Sequence, residues 1–456
     1  SILVGDSRGV ITQWFPVRDE ENNYTLDNIR HFNSQQAPIT GIAPEYFRKG
    51  FTAIDNQGYV GFYHTTAQRT LKLEQTSTQP LNFVAVAPHA NAMLLENATN
   101  QVEYWQVENK HPEVSWKSLW GKVWYESRQQ PEYIWQSSSA SSDFEPKFSL
   151  TPLAFGTLKA SFYAMLFAVP LAILGAIYTA YFMHARMRGL VKPAIEIMAA
   201  LPTVILGFLA GLWLAPFIEK YLPGIFMTLL FIPVAVLIGA WLWHTLPARW
   251  QQQVPEGWEA LLLIPVVVLA GLVAIMLSQP VEYLFFDGNM PLWLTRELGI
   301  TYDQRNSLVV GIAMGFAVIP TIFSISEDAI YSVPKQLTTG SLALGATPWQ
   351  TMMRVVLLTA SPGIFSAVMI GLGRAVGETM IVVMATGNTP VVDLNIFQGF
   401  RALSANIAVE MPESEVGSTH YRVLFLAGLV LFMATFLFNT IAEVVRQRLR
   451  AKYSNL

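Results

Sequence analysis

Two patterns divide the chain. Through residues 1–150 apolar and polar residues change over every few positions, and no apolar run is long enough to cross a membrane. From residue 151 onward the apolar residues gather into long runs with polar loops between them. A helix needs about 20 mostly apolar residues to cross a bilayer core. Seven stretches meet this, at about 160–183, 197–218, 224–246, 260–279, 306–326, 362–385 and 423–442. The pattern predicts a multi-domain protein, with an all-β domain followed by an all-α polytopic membrane bundle of about seven spans.

The first part repeats itself loosely. DSRGVITQW (6–14), DNQGYVGFY (55–63) and NATNQVEYW (97–105) each give a polar turn and then a short strand ending in an aromatic residue. Their spacing is that of propeller blades. A propeller closes with roughly four to eight blades, and about three fit here. Two architectures stay open: an ordinary β-sandwich, or the C-terminal part of a propeller whose first blades are missing. The expected boundaries are 1–115 for the β domain, 116–154 for an interfacial tether, 155–445 for the membrane domain and 446–456 for a basic tail. Trp and Tyr in the tether suit a membrane interface, and its SSSASSD piece reads as a linker.

Composition agrees with a membrane protein. The 456 residues are 52% hydrophobic and 13% charged, where soluble proteins carry about 25% charged residues. A net charge of −3 gives no ground for nucleic-acid binding. With no cysteine there are no disulfides and no thiolate metal sites. Residue 1 is Ser with no signal peptide before it, as in a processed or shortened chain. Lys and Arg set the orientation. VRQRLRAK after the last span places that end in the cytoplasm, and counting back through seven spans places residues 1–150 outside. HARMRGLVK, with Arg186, Arg188 and Lys192, and the 247–259 loop, with Arg249, then fall inside. The 387–421 loop, with Asp393, Glu410, Glu413 and Glu415, falls outside.

The chemistry of interest lies inside a span. GLGRAVGETM (371–380) places Arg374 and Glu378 in the uncharged run 362–385. A charge at the bilayer centre costs about 2.5–3.5 kcal/mol on insertion scales. Four residues apart on a helix, the two share one face and can pair. A guanidinium matches an oxyanion, so the pair marks either a substrate route or a structural ion pair that locks helix packing. Gly371, Gly373 and Gly377 suit close helix contact rather than a nucleotide loop. Pro202-Thr203 breaks the second span and either lines the path or kinks the helix. His244 ends a span at the interface. No GxxxxGK[ST] is present, so ATP is not bound by a P-loop here. No Ser/His/Asp set, metal-spaced His cluster or paired-carboxylate site stands out, and no cofactor is implied.

Within the long 327–361 loop, SLALGATPWQTMMRVVLL (341–358) reads as helix, Gly345 break, and second helix with Trp349, Met352, Met353 and Val356 on one side. Such a segment either docks into a partner groove or rests on lipid. GSLALGATPWQTMMRVVLL resembles the EAA loop of ABC importer permeases. Thr339 stands where that loop usually has Glu, Gly340-Ser341 replace two alanines, and Leu358 replaces the final Pro. GTLKASFYAMLFAVPLAI, IEIMAALPTVILGFLAG and GLGRAVGETMIVVMATGN are similar to permease subunits of bacterial phosphate importers of the Pst type, over roughly 155–218 and 306–445. The family has six spans, so the pair at 224–279 looks like an inserted hairpin, and the family's first span is absent.

The resemblance implies a non-enzymatic permease subunit for inorganic phosphate in a bacterial inner membrane. Arg374, Glu378 and Thr379, with Pro202 and Thr203, would belong to translocation. Ser341, Leu342, Ala343, Leu344, Gly345, Ala346 and Thr347 would couple to ATP hydrolysis on a partner. The implied partners are a second permease subunit, identical or not, ATP-binding cassette ATPase subunits, an extracytoplasmic phosphate-binding protein and the bilayer. Alternatives are a permease for another oxyanion, a secondary anion transporter, and a membrane-anchored propeller acting as sensor or assembly platform.

Overall fold

The computed structural model describes the chain apart from residues 19–20, 34–36, 127, 140–143, 248–258 and 454–456, and gives backbone only at 33, 259–260, 449–450 and 452–453. Arg249, most of its loop and part of the SSSASSD linker lie outside the described residues. Two compact units are present. The first comprises Ser1–Leu153, Pro390–Val392 and Glu410–Ala427; the second holds the rest.

In the first unit ten strands make three larger antiparallel sheets, beside a two-stranded pair at Trp135–Gln136 and Lys147–Phe148: β1 (Ile2–Gly5), β2 (Val10–Arg18) and β3 (Tyr24–Asn33); β4 (Ile39–Pro44), β5 (Gly50–Asp55), β6 (Tyr59–His64) and β7 (Arg69–Gln75); and β8 (Leu81–Val86), β9 (Ala92–Asn97) and β10 (Val102–Gln106). The loose sequence repeat has a physical basis. Asp6 Oδ1 accepts the N–H groups of Arg8 and Val10 at 2.8 and 2.9 Å. Asp55 Oδ1 accepts those of Gln57 and Tyr59 at 2.9 and 2.8 Å. Asn97 Oδ1 accepts those of Thr99 and Gln101, both at 3.0 Å. The fourth residue of each turn, Gly9, Gly58 or Asn100, has positive φ, as residues tolerant of that region allow.

All six residues of β5 are buried, so both faces of the middle sheet are covered. Phe51 and Ala53 pack with Ile11 and Phe32 of the first sheet. Ile54 packs with Leu81, Val84 and Leu95 of the third. Three small sheets stacked in this way, with no closed barrel among the described strands, are consistent with a partial propeller-like domain. Tyr125 and Trp135 are only 4% exposed, so these tether aromatics belong to the unit's interior and not to a lipid interface. Trp135 Nε1 donates to Glu410 Oε1 at 3.0 Å, and His420 Nε2 meets Glu410 Oε2 at 2.7 Å. His420 also stacks on Phe148, with ring centroids 5.7 Å apart.

The second unit is helical. Seven helical stretches among the described residues are long and apolar enough to cross a membrane: Thr151–Phe182, Thr203–Lys220, Leu222–Thr245, Leu261–Glu297, Ser307–Tyr331, Pro348–Gly377 and Thr419–Arg448. The number matches the hydropathy pattern, but several boundaries move: the first stretch begins at Thr151, the fourth extends to Glu297, the sixth begins at Pro348 and the last spans Thr419–Arg448; two shifts bear on the site. The second stretch begins at Thr203, and the sixth ends at Gly377. Ser307–Tyr331 is the most enclosed. It packs on an alanine stripe (Ala160, Ala164, Ala168, Ala172, Ala176). A Cβ on its Gly311 would sit 3.0 Å from Tyr163 Cβ, and one on Gly315 would sit 3.2 Å from Phe167 Cβ. Small residues permit that approach. Leu222–Thr245 packs along Glu259–Phe285, where the Gly224 N–H donates to Ser278 Oγ at 3.0 Å.

Candidate translocation site

The helix Leu357–Gly377 stops one residue before Glu378, which has an extended backbone (φ −67°, ψ 127°). Thr379 follows, and a short helix covers Met380–Ala385. The expected shared face and pairing of Arg374 and Glu378 therefore do not form, because i,i+4 adjacency needs a helix that continues through both. Arg374 Nη1 donates instead to Thr321 Oγ1 of the Ser307–Tyr331 helix at 2.8 Å. Glu378 Oε1 accepts the N–H groups of Thr379 and Ile381 at 3.2 and 3.4 Å. The Glu378 carbonyl accepts from Ser404 Oγ at 3.0 Å. The Thr379 and Ile381 N–H groups and the Glu378 carbonyl thus find protein partners at the break, as an interrupted membrane helix requires. Both charged side chains are half-buried. Arg374 lies in the last turn of its helix, where the macrodipole favours a cation.

Pro202 does not kink a span. It sits at the N-cap of Thr203–Leu209, after a turn at 199–201 in which the Ala199, Ala200 and Leu201 N–H groups donate three residues back. A proline disfavours helical geometry in the residue before it, which separates this helix from Ala185–Met198. A Cβ on Gly207 would lie 2.9 Å from Ile381 Cα and Met380 O, and one on Gly211 would strike Met384 O. Both glycines advance in step with residues 381–384, so the two helices run parallel. The Pro202–Thr203 start lies at the same end of this pair as the 377–379 break. Of the glycines in GLGRAVG, Gly371 makes the expected close contact, on Ile322, whereas a Cβ on Gly377 would meet nothing within 4 Å.

The 341–358 segment forms a bent pair of helices. Lys335–Ala343 ends in a closure in which the Gly345 N–H donates to Leu342 O at 3.0 Å and the Ala346 N–H to Ser341 O at 3.2 Å. This is the Schellman arrangement, with Gly345 at φ +89° in the position that favours glycine. Thr347 and Gln350 form a capping box that starts Pro348–Thr351, and a π-helical turn at Met352–Val356 leads into Leu357–Gly377. Ser341 Oγ and Thr351 Oγ1, 2.9 Å apart, tie the arms. Leu344 is 91% and Trp349 61% exposed. The expected common side splits: Met352 and Val356 are buried, whereas Trp349 and Met353 face out.

One cluster was missed from sequence. Glu327, fully buried, pairs with Arg188 and, at 2.9 Å, with Lys192. Lys192 also pairs with Asp328. The Arg188 guanidinium lies over the Tyr331 ring, and Ser324 Oγ donates to Glu196 Oε1 at 3.0 Å. The Ala185–Met198 helix is thereby fixed to the end of Ser307–Tyr331 that leads into Lys335–Ala343. The signal was available as complementary charge: two acids closing one apolar run, and basic residues following another. Sequence reading used those basic residues only to orient the chain.

Residues 257–454 match the family model described as the binding-protein-dependent transport system inner membrane component. The chain is 27% identical over 308 residues to a probable ABC transporter permease protein, YqgH, of Bacillus subtilis, covering 67% of this chain and 74% of that protein. It is 27% identical over 306 residues to the phosphate transport system permease protein PstC of Mesorhizobium japonicum, covering 67% and 76%. It is also 27% identical over 304 residues to PstC 1 of Mycobacterium tuberculosis, covering 66% and 73%.

Proposed function

We propose that this chain, whose residues 257–454 match the inner membrane component of binding-protein-dependent transport systems and which is similar to ABC transporter permeases, is the permease subunit of an ATP-driven importer of inorganic phosphate. The Gly377–Thr379 break, flanked by Arg374, Glu378 and the Pro202–Thr203 helix start, is the translocation site. The observation that carries this reading is the half-buried Arg374 guanidinium, held by Thr321 and joined to no carboxylate among the described residues. It leaves donors for a tetrahedral anion, which a planar fork binds in bidentate fashion. Similarity to phosphate permeases supports phosphate as that anion.

The Ser341–Thr347 bend is the ATPase-coupling element, with exposed Leu344 and Trp349 as the apolar groups offered to an ATP-binding cassette subunit. A second permease subunit and an extracytoplasmic phosphate-binding protein complete the assembly in the inner membrane. Residues 1–150 lie outside and the C-terminus in the cytoplasm. The test is ATP-dependent phosphate uptake by the assembled complex. Arg374→Gln lowers uptake at least a hundredfold at equal membrane abundance, in line with about 3 kcal/mol for lost charge-assisted bonds. Uptake near the unsubstituted level would overturn the reading. Competition by sulfate or molybdate stronger than by phosphate itself would favour another oxyanion.

A further inference from the structure

Lys159 stands on the Thr151–Ile177 helix, within the first membrane stretch, and only 3% of its surface is exposed. An ionised amine buried to this degree costs several kcal/mol unless partners take up its charge and its three N–H groups. Its partners are few. Nζ donates to the Gln398 carbonyl at 3.4 Å, an oxygen that already accepts the Ser307 hydroxyl at 2.7 Å. The Phe400 ring centre is 5.9 Å away. Neither Asp303 nor Asp393 forms an ion pair with it among the described residues. Asp303 Oδ2 accepts the Gly399 N–H at 3.0 Å and Asp393 Oδ1 the Asn395 N–H at 2.9 Å.

Polar atoms without a hydrogen-bond partner among the described residues gather in the same segment. They are the buried Gln398 Oε1 and both amide atoms of Asn406. Contacts run from here to the helix break: the Leu403 N–H donates to Thr157 Oγ1 at 3.0 Å, and Ser404 Oγ donates to the Glu378 carbonyl. Ser307 and Thr321, the residue that holds Arg374, lie on one helix. Their separation is about 21 Å at 1.5 Å rise per residue.

We propose that Lys159 is a second anion-binding residue, which takes a tetrahedral oxyanion at Nζ, beside Gln398 and Ser307. The bound anion supplies the counter-charge that the protein does not, and the path then has two cationic stations, Lys159 and Arg374. This rests on the reading of the chain as an oxyanion permease, so the test is a binding measurement independent of transport.

The chain has no cysteine, so Gln398→Cys gives a single reporter in the full-length protein in its membrane, with Ser307→Cys as a second. The rate of alkylation by N-ethylmaleimide is measured with and without inorganic phosphate. Phosphate is expected to slow alkylation at least fivefold. The protection is kept in Lys159→Arg and lost in Lys159→Met, at equal membrane abundance. Protection that is equal in Lys159→Met, or none by phosphate, sulfate or molybdate at either reporter, overturns the site. Lys159-dependent protection by sulfate or molybdate but not phosphate keeps the site and overturns phosphate as the substrate.

Discussion

At the scale of single residues, Arg374 and Glu378 act separately. Each has its own partners, Thr321 for the first and the Thr379 and Ile381 N–H groups for the second. Removing both charges therefore should not rescue what removing one destroys. Stability losses in Arg374→Gln and Glu378→Gln are expected to add within about 0.5 kcal/mol in the double variant, as for independent sites. Recovery of uptake by the double variant would restore the ion-pair reading. His64 offers a second residue-scale test. Burial pushes its pKa down to about 4, with Arg30 and Arg48 adding to the effect and Glu113 opposing it. Its Nδ1 accepts the Ala67 N–H at 3.2 Å, which requires the neutral ring. The unfolded chain, near 6.5, then binds the proton more readily than the folded one. Stability from His64 is complete above pH 6.5 and falls as the pH drops toward 4, by about 2 kcal/mol at pH 5. Denaturant unfolding of the first unit at pH 7.5 and pH 5 measures this, and His64→Gln should flatten the difference.

At the scale of elements, the bend at Gly345 is a backbone device. A Cβ there meets nothing within 4 Å, so substitution acts through φ and not through crowding. Gly345→Ala should strain the Schellman closure by about 1–2 kcal/mol, and Gly345→Asn, which tolerates positive φ, should cost less. In the coupled complex the ratio of ATP hydrolysed to phosphate carried should rise in the order Asn, Ala, Trp. An unchanged ratio in Gly345→Trp would remove the bend from coupling. The seven apolar runs and the three polar turns were legible because each is set by a few consecutive residues. The break at Glu378 was not, since the uncharged run 362–385 carries on past it in sequence and the groups that meet the broken backbone include one far along the chain, Ser404 on the Glu378 carbonyl. The Pro202 boundary was misplaced for a related reason. Hydropathy runs across the 199–201 turn without change, and only backbone geometry divides the two helices.

At the scale of the whole molecule, the orientation proposed from Lys and Arg is open to direct labelling, because no native cysteine competes. An impermeant thiol reagent on intact cells should label Ser137→Cys and leave Ser454→Cys unlabelled until the membrane is opened; labelling of both from outside refutes the arrangement. The first unit also has an unusual make-up. It is closed by Glu410 on Trp135 and by Thr419 on His111, partners 275 and 308 residues apart. Ribosomes add roughly 5–20 residues per second. Trp135 therefore waits about 14–55 s after its own synthesis before Glu410 exists. During that interval the β unit stands unfinished while helices of the second unit are being made, and a nascent chain halted before residue 410 carries a β unit that cannot yet close.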